Sequence, residues 1–192
     1  LQYHFLPIAI RYDGSSAKQG HGYQVHVGPM NTDVRGHVRI TSDDPAVYPE
    51  IVFNYLSTAQ ERREWVEAIR CTREIMTQPA FDEFRGEELA PGAAVETDDE
   101  ILGFVRQQLE SAYHPSCTCS MGQGAAAVTT PDLNVHGVEG LRVVDASVMP
   151  AVTNGNIYAP VLMIAEKAAD LIAGNTPLAP VHVPYYVHAR DN

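Results

Sequence analysis

The sequence predicts an α+β fold, a mostly antiparallel sheet with helices packed on one face. Two observations carry that prediction: apolar residues recur at every second position in the first 55 residues, and from Ser57 the recurrence becomes helical. Tyr23, Val25 and Val27 alternate with Gln24 and His26, and Val38 and Ile40 alternate with His37 and Arg39. Gly28, Pro29, Asn31, Asp33 and Gly36 lie between these runs and supply turn chemistry, so the economical pairing joins the two runs as an antiparallel hairpin. Residues 50–55 add a further strand. The opening Leu1-Gln2-Tyr3-His4-Phe5-Leu6-Pro7 is already in strand register and lacks a methionine, which leads us to expect a piece of a longer chain.

The helices follow. Ser57 and Gln60 fit a capping box, and Trp65, Ile69, Thr72 and Met76 share one face until Pro79 stops the run. A second helix starts at Thr97, with Glu100 three residues on, and aligns Ile101, Phe104, Val105 and Leu109 as far as about Ala112. Asp98 and Asp99 in its first turn suit the positive end of the helix dipole. Leu141 to Val144 reads as a short strand. The last helix runs from near Pro160 to Gly174 and is apolar on most sides, so it is expected to be buried between two domains. After Asn175, Pro177, Pro180 and Pro184 predict an extended arm that packs through Tyr185, Tyr186 and Val187.

Composition bounds the function. A chain of 192 residues with 45% hydrophobic and 19% charged residues is globular, with one core or two small ones. The net charge of −11, with Lys and Arg scattered singly, offers no basic stripe, so nucleic acid is not an expected partner. No apolar run approaches the roughly 20 residues that cross a bilayer, and the first residues lack a signal-peptide pattern. Cys71, Cys117 and Cys119 are odd in number, and a C-x-C bridge would be strained, so reduced thiols in a cytoplasmic setting are expected.

Chemistry concentrates in two tracts. The first is Tyr113-His114-Pro115-Ser116-Cys117-Thr118-Cys119-Ser120-Met121-Gly122. It admits a zinc site from His114, Cys117, Cys119 and His136, a cysteine nucleophile with a histidine base, or acid–base work by His114. Zinc is disfavoured because C-x-C sends successive side chains to opposite faces of an extended chain. Gly122-x-Gly124-x-x-Ala127 imitates a dinucleotide fingerprint, but it follows a loop and leads to Thr129, Thr130 and Pro131 instead of opening a helix. The second tract runs from Leu141 through Asp145, Ala146, Ser147, Val148, Met149 and Pro150 to Thr153-Asn154-Gly155-Asn156-Ile157-Tyr158-Ala159-Pro160. A strand ending in an aspartate, a small polar loop and a helix start can present backbone N–H groups to an anion or a polar ring edge, or can be an ordinary connection.

Together, the tract at 113–122, the Gly140-to-Pro150 run, Thr153 to Pro160 and Met163-Ile-Ala-Glu-Lys-Ala-Ala-Asp170 resemble the C-terminal part of glucose-methanol-choline (GMC) flavoprotein oxidoreductases. The resemblance extends through Tyr3 to Pro7, His21-Gly22, His26 to Gly28, Arg35 to Arg39 and Arg73 to Met76. It implies a substrate-binding domain over 1–140, a segment over 141–174 that returns to an FAD-binding domain, and an arm over 175–192. The implied reaction is oxidation of a small alcohol, choline foremost, by removal of a hydroxyl proton and passage of a hydride to FAD. His114 matches the histidine facing the flavin, and Asn156 matches a second residue facing the substrate oxygen. Asp145, Ala146, Asn156 and Ile157 match positions that approach the cofactor, and Tyr113 is nominated for the substrate's quaternary ammonium. No metal is implied. The implied partner is an N-terminal FAD-binding domain of the same polypeptide, and peripheral attachment to the inner membrane through the electron acceptor is compatible with the resemblance. A neutral imidazole, with a pKa of about 6.5, suits hydroxyl proton abstraction, and an Asn N–H suits a developing alkoxide.

Overall fold

Strand partners are chosen by the chain's long-range contacts, and here they differ from the hairpin expected above. The computed structural model describes residues 1–10, 20–30, 32–176 and 178–184. Strand β1 (Gln2–Leu6) pairs antiparallel with β2 (Gln24–Gly28), placing Tyr3 opposite Val27 and Phe5 opposite Val25. Strand β3 (His37–Arg39) pairs with β4 (Glu50–Val52). The α+β class stands, as two small two-stranded antiparallel sheets with helix against β2.

The 23–27 and 37–40 runs do not pair with each other because the chain between them folds locally. Thr32 Oγ1 accepts from the Val34 amide at 3.1 Å, and the Arg35 guanidinium donates to the carbonyls of Thr32 and Val34. Gly36 then backs onto the Val52 carbonyl so closely that a Cβ would lie 1.7 Å from that oxygen, and Asn54 Nδ2 donates to the Arg35 carbonyl. Glycine is therefore required where the chain turns into β3. Asn31, named above among the turn residues, lies outside the described residues.

Helix α1 (Ala59–Met76) is capped by Thr58, one residue later than expected, with its hydroxyl accepting from the Glu61 amide at 3.1 Å. Ser57 is used differently: its carbonyl and that of Leu56 accept from the Arg62 side chain. Helix α2 (Asp98–Gln108) carries the Thr97–Glu100 capping box as expected, and these hydrogen bonds lower the Glu100 pKa. It stops short of Ala112 because Leu109 turns extended and Ser111 Oγ accepts from the Tyr113 amide, a local alternative to helix hydrogen bonding. Val66 of α1 meets Ile101, Leu102 and Val105 of α2 in the first core, with Trp65 and Ile69 alongside. Truncating the fully buried Ile101 to alanine would cost about 2–5 kcal/mol.

The long loop after α1 is clamped by Arg73. Its guanidinium binds both Glu88 carboxylate oxygens and donates to the carbonyls of Val95 and Gly92. Pro79 begins a 3-10 turn at Pro79–Phe81, where the Phe81 ring meets those of Phe5 and Tyr23 at centroid distances of 6.0 and 5.8 Å.

A second core joins Leu133, Val148 and Ala168, with Met121, Val143 and Ile164 packed against it. The expected strand at 141–144 is reduced to one bridge, Asn134 to Arg142, flanked by hydrogen bonds from Val143 to Leu133 and from Val135 to Leu141. Its partner segment runs in register for too few residues to make more. Helix α3 (Tyr158–Ala173) ends at Gly174 as expected, with φ +69. Within this chain it is covered on one side only: Ala168 alone of its residues is fully enclosed, and Met163 is 69% exposed. Leu133 and Val148 supply that cover, so the other apolar sides face outward. The arm at 178–184 has no regular structure and does not pack, with Leu178 90% exposed, whereas Tyr185, Tyr186 and Val187 lie outside the described residues. Among the described residues no helix is long and apolar enough to cross a membrane.

Candidate active site

Two chain segments far apart in sequence converge at His114. Residues 117–121 run beside the 3-10 turn Ala146–Val148, and the amides of Cys117, Cys119 and Met121 donate to the carbonyls of Ala146, Ser147 and Val148 at 3.3, 2.9 and 2.8 Å. Alternate residues thus stitch the His114 loop to the strand-loop-helix tract. Fully buried Thr129 braces the far end: its hydroxyl donates to the Cys119 carbonyl, and its own carbonyl accepts from Gly122. The GxGxxA stretch between them forms a turn closed by Ala127 N–H to Gly124 O, and no helix follows it.

The convergence ends in a hydrogen bond of 2.9 Å between His114 Nε2 and Asn156 Oδ1, joining residues 42 positions apart. A carboxamide oxygen only accepts, so Nε2 donates, and in the neutral ring the lone pair sits on Nδ1. The expected use of His114 as a base therefore needs a change of tautomer if Nε2 is to take a proton. Asn156 keeps its Nδ2 hydrogens for an oxygen brought beside the pair. Nδ1 of His114 is buried without a partner among the described residues, as is Oγ1 of Thr153. Sequence reading did not single out Thr153; the only signal was its place before the Asn-Gly bend.

Backbone strain marks the His114 loop. Tyr113 and Cys117 flank it with φ of +57 and +73, each a left-handed conformation that costs a non-glycine residue about 1–3 kcal/mol. Tyr113 is 72% exposed beside the pair. The Asp145 carboxylate caps the 146–148 turn through the Ser147 amide at 2.8 Å, while the amides of Asp145 and Ala146 have no acceptor among the described residues. Ile157 precedes α3, and its carbonyl accepts from Val161; among the described residues no side chain caps this helix start.

The geometry thus joins His114 with Asn156 directly, and Ala146 with the His114 loop through the backbone. His136 is not part of this cluster, its Nε2 lying 3.0 Å from the Gly122 carbonyl. Cys117 and Cys119 are half-buried thiols in the stitched segment. Among the described residues no three His, Cys, Asp or Glu side chains converge to hold a metal ion.

Comparison with known proteins places the chain among flavoprotein relatives at three levels, family model, sequence and structure. Residues 32–165 match the family model described as GMC oxidoreductase. The oxygen-dependent choline dehydrogenase of Staphylococcus epidermidis is 57% identical over 195 residues, covering 100% of this chain and 34% of that protein. Pyridoxine 4-oxidase from Mesorbium loti matches in structure with a TM-score of 0.72 and 32% identity, over 77% of this chain and 29% of that one. An FAD-dependent oxidoreductase from Chaetomium thermophilum likewise gives a TM-score of 0.72 and 31% identity, over 81% of this chain and 27% of that one. The chain spans about a third of the length of the curated relatives it matches.

Proposed function

The chain belongs to the GMC oxidoreductase family, and on that premise we propose that it forms the substrate-binding part of an FAD-dependent alcohol oxidoreductase that converts choline to betaine aldehyde. The observation that carries this reading is the His114–Asn156 hydrogen bond. It holds a proton acceptor and an N–H donor around one point, where an alcohol oxygen would replace their mutual contact.

The residues fit the cofactor. The acceptor-free amides of Asp145 and Ala146 and the uncapped start of α3 are donors of the kind that bind phosphate oxygens and anionic ring edges. Asp145 and Ala146 would hold the ribityl-pyrophosphate portion, and Asn156 and Ile157 would lie near the ring edge. When bound, FAD supplies the two-electron acceptor for the hydrogen on the alcohol carbon. His114 then takes the hydroxyl proton on Nε2, after its own ring proton has moved to Nδ1. Asn156 Nδ2 donates to the oxygen as charge develops there, and Tyr113 offers a π-face to the trimethylammonium group.

On this reading, residues 141–174 return to the FAD-binding domain of the longer protein, which covers the apolar sides of α3; residues 1–140 face the substrate, and residues 175–192 form the arm. The test is anaerobic mixing of the full-length protein with choline. Bleaching of the flavin absorbance is expected, and His114→Ala should slow it by about 100- to 10,000-fold. Wild-type speed in His114→Ala, or flavin that no alcohol reduces, would overturn the assignment.

A further inference from the structure

We propose that Thr153 is a positioning residue for His114, its hydroxyl serving the Nδ1 side of the ring in both tautomers that proton abstraction requires. The proposal rests on the reading of His114 as the proton acceptor. It starts from two buried polar atoms without partners among the described residues, His114 Nδ1 and Thr153 Oγ1. They belong to the two segments joined by the His114–Asn156 bond. Thr153 stands three residues before Asn156, and the chain bends between them at Asn154–Gly155, where Gly155 takes φ +78. Thr153 and Asn156 therefore stand at the two ends of one bend, and Asn156 is the residue that grips the ring.

The chemistry selects a hydroxyl. While Nε2 donates to Asn156, the Nδ1 lone pair needs a donor. Before Nε2 can accept a proton from an alcohol it must be bare, the ring proton then sits on Nδ1, and Nδ1 needs an acceptor. A carbonyl or carboxylate serves only the second state, and an ammonium serves only the first. A hydroxyl rotates to serve either. No hydrogen bond joins the two atoms in this structure, so pairing requires the ring or the Thr153 side chain to move, as catalytic hydrogen bonds tighten when substrate binds.

The test uses the full-length flavin-bound protein with Thr153→Val, which keeps the shape and removes the hydroxyl, and Thr153→Ser, which restores it. Imidazole nitrogen NMR of labelled protein reads the tautomer of His114 without turnover. Thr153→Val should disturb the tautomer balance and lower kcat by about 10- to 100-fold with KM unchanged, the scale at which misplacing a reacting group costs rate. Thr153→Ser should recover both. An unchanged tautomer balance and kcat in Thr153→Val would overturn the proposal, and so would Thr153→Ser behaving like Thr153→Val. His114→Ala measured in parallel separates the two ideas: if it is slow while Thr153→Val is normal, Thr153 alone falls, and if it is fast, the reading of His114 falls as well.

Discussion

His114 and Asn156 each sit in a tract whose residue order is distinctive, so the sequence singles them out as candidates, and the structure brings their side chains together. Which nitrogen of His114 carries the proton is not legible in the sequence, because that depends on a hydrogen bond across 42 residues and on which way a carboxamide points. Tyr113 belongs to the same scale. Its left-handed backbone turns the chain immediately before His114 and leaves the ring 72% exposed. If it receives a quaternary ammonium, Tyr113→Leu should weaken choline binding by about 2- to 30-fold, the range expected for losing one cation–π contact, and should leave a neutral alcohol of similar size unaffected. Substrate KM values for the two alcohols check this, and equal losses for both would remove the cation-binding role.

At the scale of elements, local signals were read accurately and long-range ones were not. The Thr97–Glu100 box needs only four neighbouring residues and is present as expected. Strand pairing is a choice among distant partners, and alternation identifies a strand without naming its mate, so β2 met β1 instead of β3. Helix α1 carries a group whose contribution to stability depends on pH. Burial raises the pKa of Glu61 above its ordinary value, and the amides of Leu56 and Ser57 pull the other way. A carboxyl raised on folding contributes stability that is full below its unfolded value and is lost as pH rises through the folded one. Glu61→Gln, uncharged throughout, should therefore gain in Tm relative to wild type as pH is raised from 4 to 7. Thermal melts across that range check it; a difference that stays constant would show that Glu61 does not titrate this way.

For the whole molecule, the two cores differ in how completely they are enclosed. The α1–α2 core is lined on both sides by this chain's own residues, whereas α3 shows Leu162, Met163 and Ile172 to solvent beside a core whose buried members among the described residues are Leu133, Val148 and Ala168. The sequence registered α3 as apolar nearly all round, yet composition alone cannot say what covers it. A surface of this kind is built to meet another. The 192-residue chain expressed by itself should bind a hydrophobic dye and emerge from gel filtration without flavin. On the proposed reading, supplying an FAD-binding domain in front of the chain should suppress the dye signal and restore yellow colour. A yellow isolated chain would contradict this.

The segment 117–121 that the backbone ladder ties to 146–148 runs on into a short excursion, whose base is closed by the Val128 and Thr129 amides donating to the Ser120 carbonyl. The Gly122 amide reaches the Thr129 carbonyl there, while residues 123–126 stand exposed at its tip. The excursion departs and returns at fixed points, so its tip is a splice point: an affinity tag or fluorophore-bearing peptide inserted after Gln123 would leave the Gly124–Ala127 turn and the ladder intact, giving a reporter carried within the chain and not at either end.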